Sequence, residues 1–320
     1  MKKLENLQWS PKWVSHLGCI KGCLDYLGMD VSDAWLYGGT GHAFVINLHE
    51  GVCPSGPTAW DSAKLFELGK NLGYVIDGVC GHKSQDGFAG LQEQAWEHVR
   101  QAIDRGQPCY GWELEIPEFY VIYGYDETGY YYSGPGCDEG RGPKPWREVG
   151  DTGIGMLELY SVRPGEAADD AQTVRDAFSF ALKHAQNPKD WVFGDYRSGP
   201  EGFDNWVRAL QEGRASDMGT RYNAGVWLEC RKCAVGFLEE AKERLAGRAD
   251  DLFDEALAHY GAVAESLGQV AEIYPWRLEA SDEDVLPVDG QSHASVEALK
   301  AARKAEVDGL RTLDKIIQVL

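Results

Sequence analysis

The stretch "EFYVIYGYDETGYYYSG", residues 118–134, constrains the fold more than any other part of the chain. Aromatic and β-branched residues fill its two arms, and "YDETG" separates them. That pattern predicts a β-hairpin. A lone hairpin is marginal in water, so neighbouring chain must supply more strands and an apolar cover. "CYGWELE" (109–115) and "MLELYSV" (156–162) read as those strands. The glycine- and proline-rich segment between, residues 134–155, reads as a long loop.

Helical spacing surrounds this sheet. Leu17, Ile20, Leu24 and Leu27 recur at three and four residues, and Gly28 stops the run. Further helices are expected over 58–72 and 91–105, and "AFVINLH" (43–49) alternates as a strand does. At "SVRPGEAADD" (161–170) the texture changes. Pro164 and Gly165 break the preceding strand, and acidic residues open a helix. From there the pattern is helical over 166–186, 201–212, 220–246, 250–271 and 292–320. The expected architecture is α+β, with an α+β domain over 1–163 and an all-α helical bundle over 164–320.

Composition narrows the function. A chain of 320 residues with 43% hydrophobic content can fill two cores. The net charge is -20. It is spread evenly: residues 1–163 hold 13 basic and 22 acidic side chains, giving -9, and the rest give -11. Repulsion from a phosphate backbone argues against nucleic acid as a partner. No run of about 18 apolar residues exists for a membrane span. No apolar run follows the first lysines, so no signal peptide is read and a cytoplasmic location is expected. The eight cysteines are then expected as reduced thiols.

The N-terminal half resembles a known family. A helix ending "DYLG", then "VSDAWLYGGTG", a second helix ending "LGY", and "IDRGQPCYGW…FYVIYGYDETGYYYSGP" are similar to the papain-like fold of bacteriocin-processing peptidase domains. They resemble still more the N-terminal domain of the butirosin-biosynthesis acyltransferase family. "YRSGPEGFDNWVRAL" (196–210) and "RYNAGVWLECRKCAVGFL" (221–238) resemble the helical region that follows that domain in many bacterial proteins. The resemblance implies a papain-like (cysteine-proteinase-type) domain in 1–163. It also implies a cysteine at the start of the central helix, a histidine at the start of the strand leading to "GYD", and an Asp or Asn after the next aromatic strand. In this sequence those positions fall on Ser15, Glu118 and the Ser133–Gly134 pair. All three are altered.

Two functions follow. One is a binding or sensor protein on a degenerate papain-like cleft, taking a small molecule or peptide. Its ligand-binding residues would be Ser15, His16, Trp60, Trp112 and Tyr120, with Glu118 favouring cationic or neutral ligands. The other is a cysteine-dependent acyltransferase or amide hydrolase. Its nucleophile would have moved to Cys19, one turn along the helix, with His42 or His16 as base and Glu118 as orienter. No cofactor is expected. The group His42, His49 and Cys53 lacks a fourth ligand for zinc, and "CRKC" (230–233) lies in mid-helix without a second pair, so no metal is expected either. The helices of the second half could also pair two copies of the chain.

Overall fold

Two carbonyl oxygens explain the small residues of the first helix. A Cβ placed on Gly18 would lie 2.4 Å from the Ser10 carbonyl oxygen, and one on Gly22 would lie 2.1 Å from that of Gln8. Residues 8–10 therefore run flat along this helix, and only glycine permits the approach.

The computed structural model describes residues 1–320. In chain order its elements are β1 (Lys2–Lys3), α1 (Ser15–Tyr26), α2 (Asp33–Gly39), β2 (Asn47–His49), α3 (Ala63–Gly69), β3 (Tyr74–His82), α4 (Phe88–Asp104), β4 (Cys109–Trp112), β5 (Phe119–Tyr125), β6 (Gly129–Gly134), β7 (Cys137–Pro145), β8 (Met156–Pro164), α5 (Asp170–Gln186), β9 (Tyr196–Ser198), α6 (Pro200–Glu212), α7 (Asp217–Arg244), α8 (Asp250–Ile273) and α9 (Gly290–Val319). The fold is mixed α/β, with an antiparallel sheet and a helical C-terminal region. No helix is long and apolar enough to cross a membrane.

The chain divides into two compact units. The first comprises 1–32 and 73–167, and the second 33–72 and 168–320. The expected boundary at 163/164 lies close to the last crossing of the chain. The segment 33–72, expected inside the first domain, folds instead with the helical half. Its own hydrogen bonds show why. β2 pairs with β9, Asn47 opposite Ser198, and Trp60 bridges Val192.

In the first unit, seven strands form an antiparallel sheet in the order β3-β8-β4-β5-β6-β7, with β1 pairing the far end of β5. The hairpin of β5 and β6 turns on Asp126, whose carboxylate accepts the Thr128 and Gly129 amides at 2.8 and 3.2 Å. α1 packs on β5, and α4 on β3 and β8. The stretch 134–155 differs from its reading as a loop, because it contains β7. Gly134 pairs with Cys137 around a tight turn, and the β6–β7 register shifts twice. Gly140 and Gly142, at φ +90° and +132°, belong to this irregular strand. The glycines that suggested a loop thus serve bends inside a strand.

In the second unit, α7 carries the deepest polar contact. Arg231 is wholly buried and forms a two-pronged pair with Glu306 of α9, at 2.8 and 2.9 Å. Its remaining nitrogen, Nη1, donates to the carbonyls of both Ala43 and Val45, at 2.8 and 2.9 Å. One side chain thereby ties α7, α9 and the segment after α2. That segment is a 3-10 turn over His42–Phe44 followed by the short β2, rather than one strand. Gly41, at φ +76°, starts the turn, and a Cβ there would meet the Phe180 ring at 2.4 Å.

Candidate functional site

α1 begins at Ser15 without a side-chain cap of its own and without an acidic residue in its first turn. Glu118, just before β5, lies beside that helix start. Ser15 Oγ donates a short hydrogen bond to the Glu118 carboxylate and accepts the Phe119 amide at 3.0 Å. A carboxylate beside a helix N-terminus is electrostatically favoured. The loop carrying it is fixed by its backbone. The Glu113 amide donates to the Glu118 carbonyl at 2.8 Å, and Glu113 itself sits at φ +55°. That is an uncommon conformation for a residue with a side chain.

Rings enclose one side of this pair. His16 stacks on Phe119 with centroids 4.0 Å apart, and its Nε2 lies 3.1 Å from the Tyr110 hydroxyl. Trp112 meets Phe119 edge-on at 5.0 Å. Ser15 and His16 are almost entirely buried, whereas Glu118 is half-buried. The arrangement is an acidic group at the edge of an aromatic wall, with its serine partner already engaged.

Tyr120 lies on the other side of β5. Its ring packs at Gly134 and meets Tyr132 edge-on, and its hydroxyl donates to the Pro135 carbonyl at 3.2 Å. Adjacent strand residues point to opposite faces, so Tyr120 does not join Phe119 and His16. Ser133, at the third altered position, is buried with no partner for its hydroxyl.

Cys19 is fully buried. Burial pushes its thiol up, and the neighbouring Cys23 and the Glu118 charge push the same way. A thiolate is the reactive species, so this setting opposes nucleophilic use. Cys19 belongs to the first unit and His42 to the second.

His42 and Trp60 make a separate cluster within the second unit. Their rings stack at 5.7 Å, and Trp60 meets His184 edge-on at 5.9 Å. Phe180 stacks on Trp60 and touches Trp191. Both nitrogens of His42 and both of His184 lack a hydrogen-bond partner in the protein. Burial, helped by the Arg231 charge, lowers His42 to about 3. His184 falls to about 3 through burial, then through His42 and Arg231. Both are neutral at any ordinary pH. His49, by contrast, accepts the Gly51 amide at 3.0 Å and packs on Tyr196. No three His, Cys, Asp or Glu side chains are grouped to share a metal ion.

The structure thus brings Ser15, His16, Trp112 and Glu118 together, puts Tyr120 on the other face of β5, and places His42 and Trp60 in the second unit. Sequence reasoning missed Tyr110 and Phe119. The period of two in "CYGW" puts Tyr110 on the face of Trp112, so the first was within reach. No family model and no curated protein matches the chain.

Proposed function

We propose that the first unit is a papain-like domain whose catalytic positions have been refilled. In this reading it binds a small cationic molecule or a basic peptide instead of cleaving one. The Ser15–Glu118 hydrogen bond carries this reading. The resemblance pairs those two positions as nucleophile and base, and here they touch but hold a serine and a carboxylate. A carboxylate that accepts the serine proton while Phe119 donates to the same oxygen holds the hydroxyl in place. The half-buried Glu118 can then face a cation, with the buried rings of Trp112 and Phe119 packed behind the pair.

The displaced-nucleophile reading needs a Cys19 thiolate, which burial, Cys23 and Glu118 all oppose. It also needs a base near the sulfur, and the ring nitrogen of His16 is engaged with Tyr110.

Titration calorimetry of the full chain with agmatine and with an arginyl dipeptide tests the proposal. Saturable binding is expected, weakened about tenfold in Glu118→Gln, the size of one charge-assisted hydrogen bond. Equal affinity in the variant, or no binding of either probe to the parent, would overturn it.

A further inference from the structure

A second candidate site lies within the second unit, far along the sequence from Ser15 and Glu118. A cavity of about 370 Å³ opens where the segment after α8 returns to the starts of α7 and α9. The size suits a small metabolite. Its wall is pinned in place. Val285 bridges Ser216, the Leu286 amide donates to the Ala215 carbonyl at 2.8 Å, and the Asp217 amide donates to the Asp284 carbonyl at 2.8 Å.

The charges lining this cavity do not cancel one another fully. Asp217 is buried and spends both carboxylate oxygens, one on Arg221 Nε at 2.9 Å and one on Arg277 Nη2 at 2.8 Å. Arg221 spends Nη1 on the Pro275 carbonyl. That leaves Arg221 Nη2 and two nitrogens of Arg277 without a protein acceptor, a positive pole. Asp289 spends one oxygen on the Gln291 and Ser292 amides as the N-cap of α9. Its other oxygen, and the whole Asp284 carboxylate, have no protein donor, a negative pole. Val285, Leu286 and Pro287 supply the apolar part of the lining, and the Tyr274 ring lies against Arg221.

We propose that this cavity binds a free α-amino acid with an apolar side chain. The ligand carboxylate meets the spare donors of Arg221 and Arg277, its ammonium meets Asp284 and Asp289, and its side chain lies over Val285 and Leu286. A simple anion would face the Asp284 carboxylate and the spare oxygen of Asp289, and a simple cation would face two guanidinium groups. Only a molecule carrying both charges satisfies both poles.

Titration calorimetry of leucine and phenylalanine into the full chain is the test, with N-acetyl-leucine and leucinamide as ligands lacking one charge each. Saturable binding of the amino acids is expected. It should weaken about tenfold or more on removal of either charge. Arg277→Gln and Asp284→Asn, both exposed, should each weaken leucine binding to a similar degree. No saturable binding of either amino acid would overturn the proposal. So would equal affinity for leucine and its N-acetyl or amide form, or unchanged affinity in both variants.

Discussion

His16 and His42 are both almost wholly buried, 5% and 1% exposed, yet their surroundings are opposite. His16 faces the Tyr110 hydroxyl and sits beside the hydrogen-bonded Ser15–Glu118 pair. His42 has no partner on either nitrogen and shares an aromatic box with a second unpartnered histidine, His184. Around α1 the first unit pairs its buried polar side chains, Ser15 with Glu118 and His16 with Tyr110, although Ser133 of the same unit has no partner. In the second unit the paired charge is Arg231 with Glu306, and the imidazoles beside it stay neutral. The same residue type is thus a hydrogen-bonding group in one place and an apolar ring with a penalty in the other.

Three measurements probe this contrast. The largest effect is expected at Arg231. Arg231→Met strands the fully buried Glu306 carboxylate and frees the Ala43 and Val45 carbonyls. A loss of about 3–5 kcal/mol is expected by denaturant titration, the usual cost of breaking a buried pair. A loss under about 1 kcal/mol would mean that water replaces the guanidinium.

The next effect is acid sensitivity. His42 and His184 are lowered in the folded chain, to about 3 each. The unfolded chain takes up protons at both near the ordinary pKa of about 6.5, and the folded chain does not. Stability is therefore lost as pH falls below about 6.5, by about 2 kcal/mol per histidine at pH 5. The buried Glu306, raised by burial, works in the opposite direction. Thermal melts from pH 7 to 5 should fall for the parent and flatten for the His42→Phe, His184→Phe double variant. Parallel curves would show that the box does not set the acid limit.

The smallest effect is expected in the first unit. Ser15→Ala removes one hydrogen bond to Glu118 and leaves the Phe119 amide without its acceptor. About 1–2 kcal/mol is expected, because Glu118 is half-buried and water can take over. A loss as large as that of Arg231→Met would erase the distinction between the two regions.

How much of this could be read from sequence depended on the range of the interactions. Local signals held. The hairpin at 118–134, the helix stopped by Gly28, and the five C-terminal helices all lie within a few residues of their expected bounds. β3 at Tyr74–His82 was not foreseen, because its pattern is broken by Asp77 and Gly78. Glycines misled at 134–155, where they bend a strand. The Ser15–Glu118 pair was legible only through a resemblance that marked both positions, since 103 residues separate them. The aromatic box around His42 was beyond reach. Nothing in "FALKHAQ" distinguishes His184 from a solvated helix residue until the fold brings Trp60 against it. The same holds for "CRKC", where the residue that matters is the arginine between the cysteines.

The assignment of 33–72 to the second unit has a consequence for synthesis on the ribosome. The carbonyl of Ala43 waits for Arg231, which is translated 188 residues later. At ordinary elongation rates that is a delay of roughly 10–40 s. The first unit has its last residue, 167, well before then. The "YGGTGHAFVINL" segment must meanwhile stay tethered between two finished pieces of chain with its apolar residues uncovered. It is where a nascent chain would most need a chaperone.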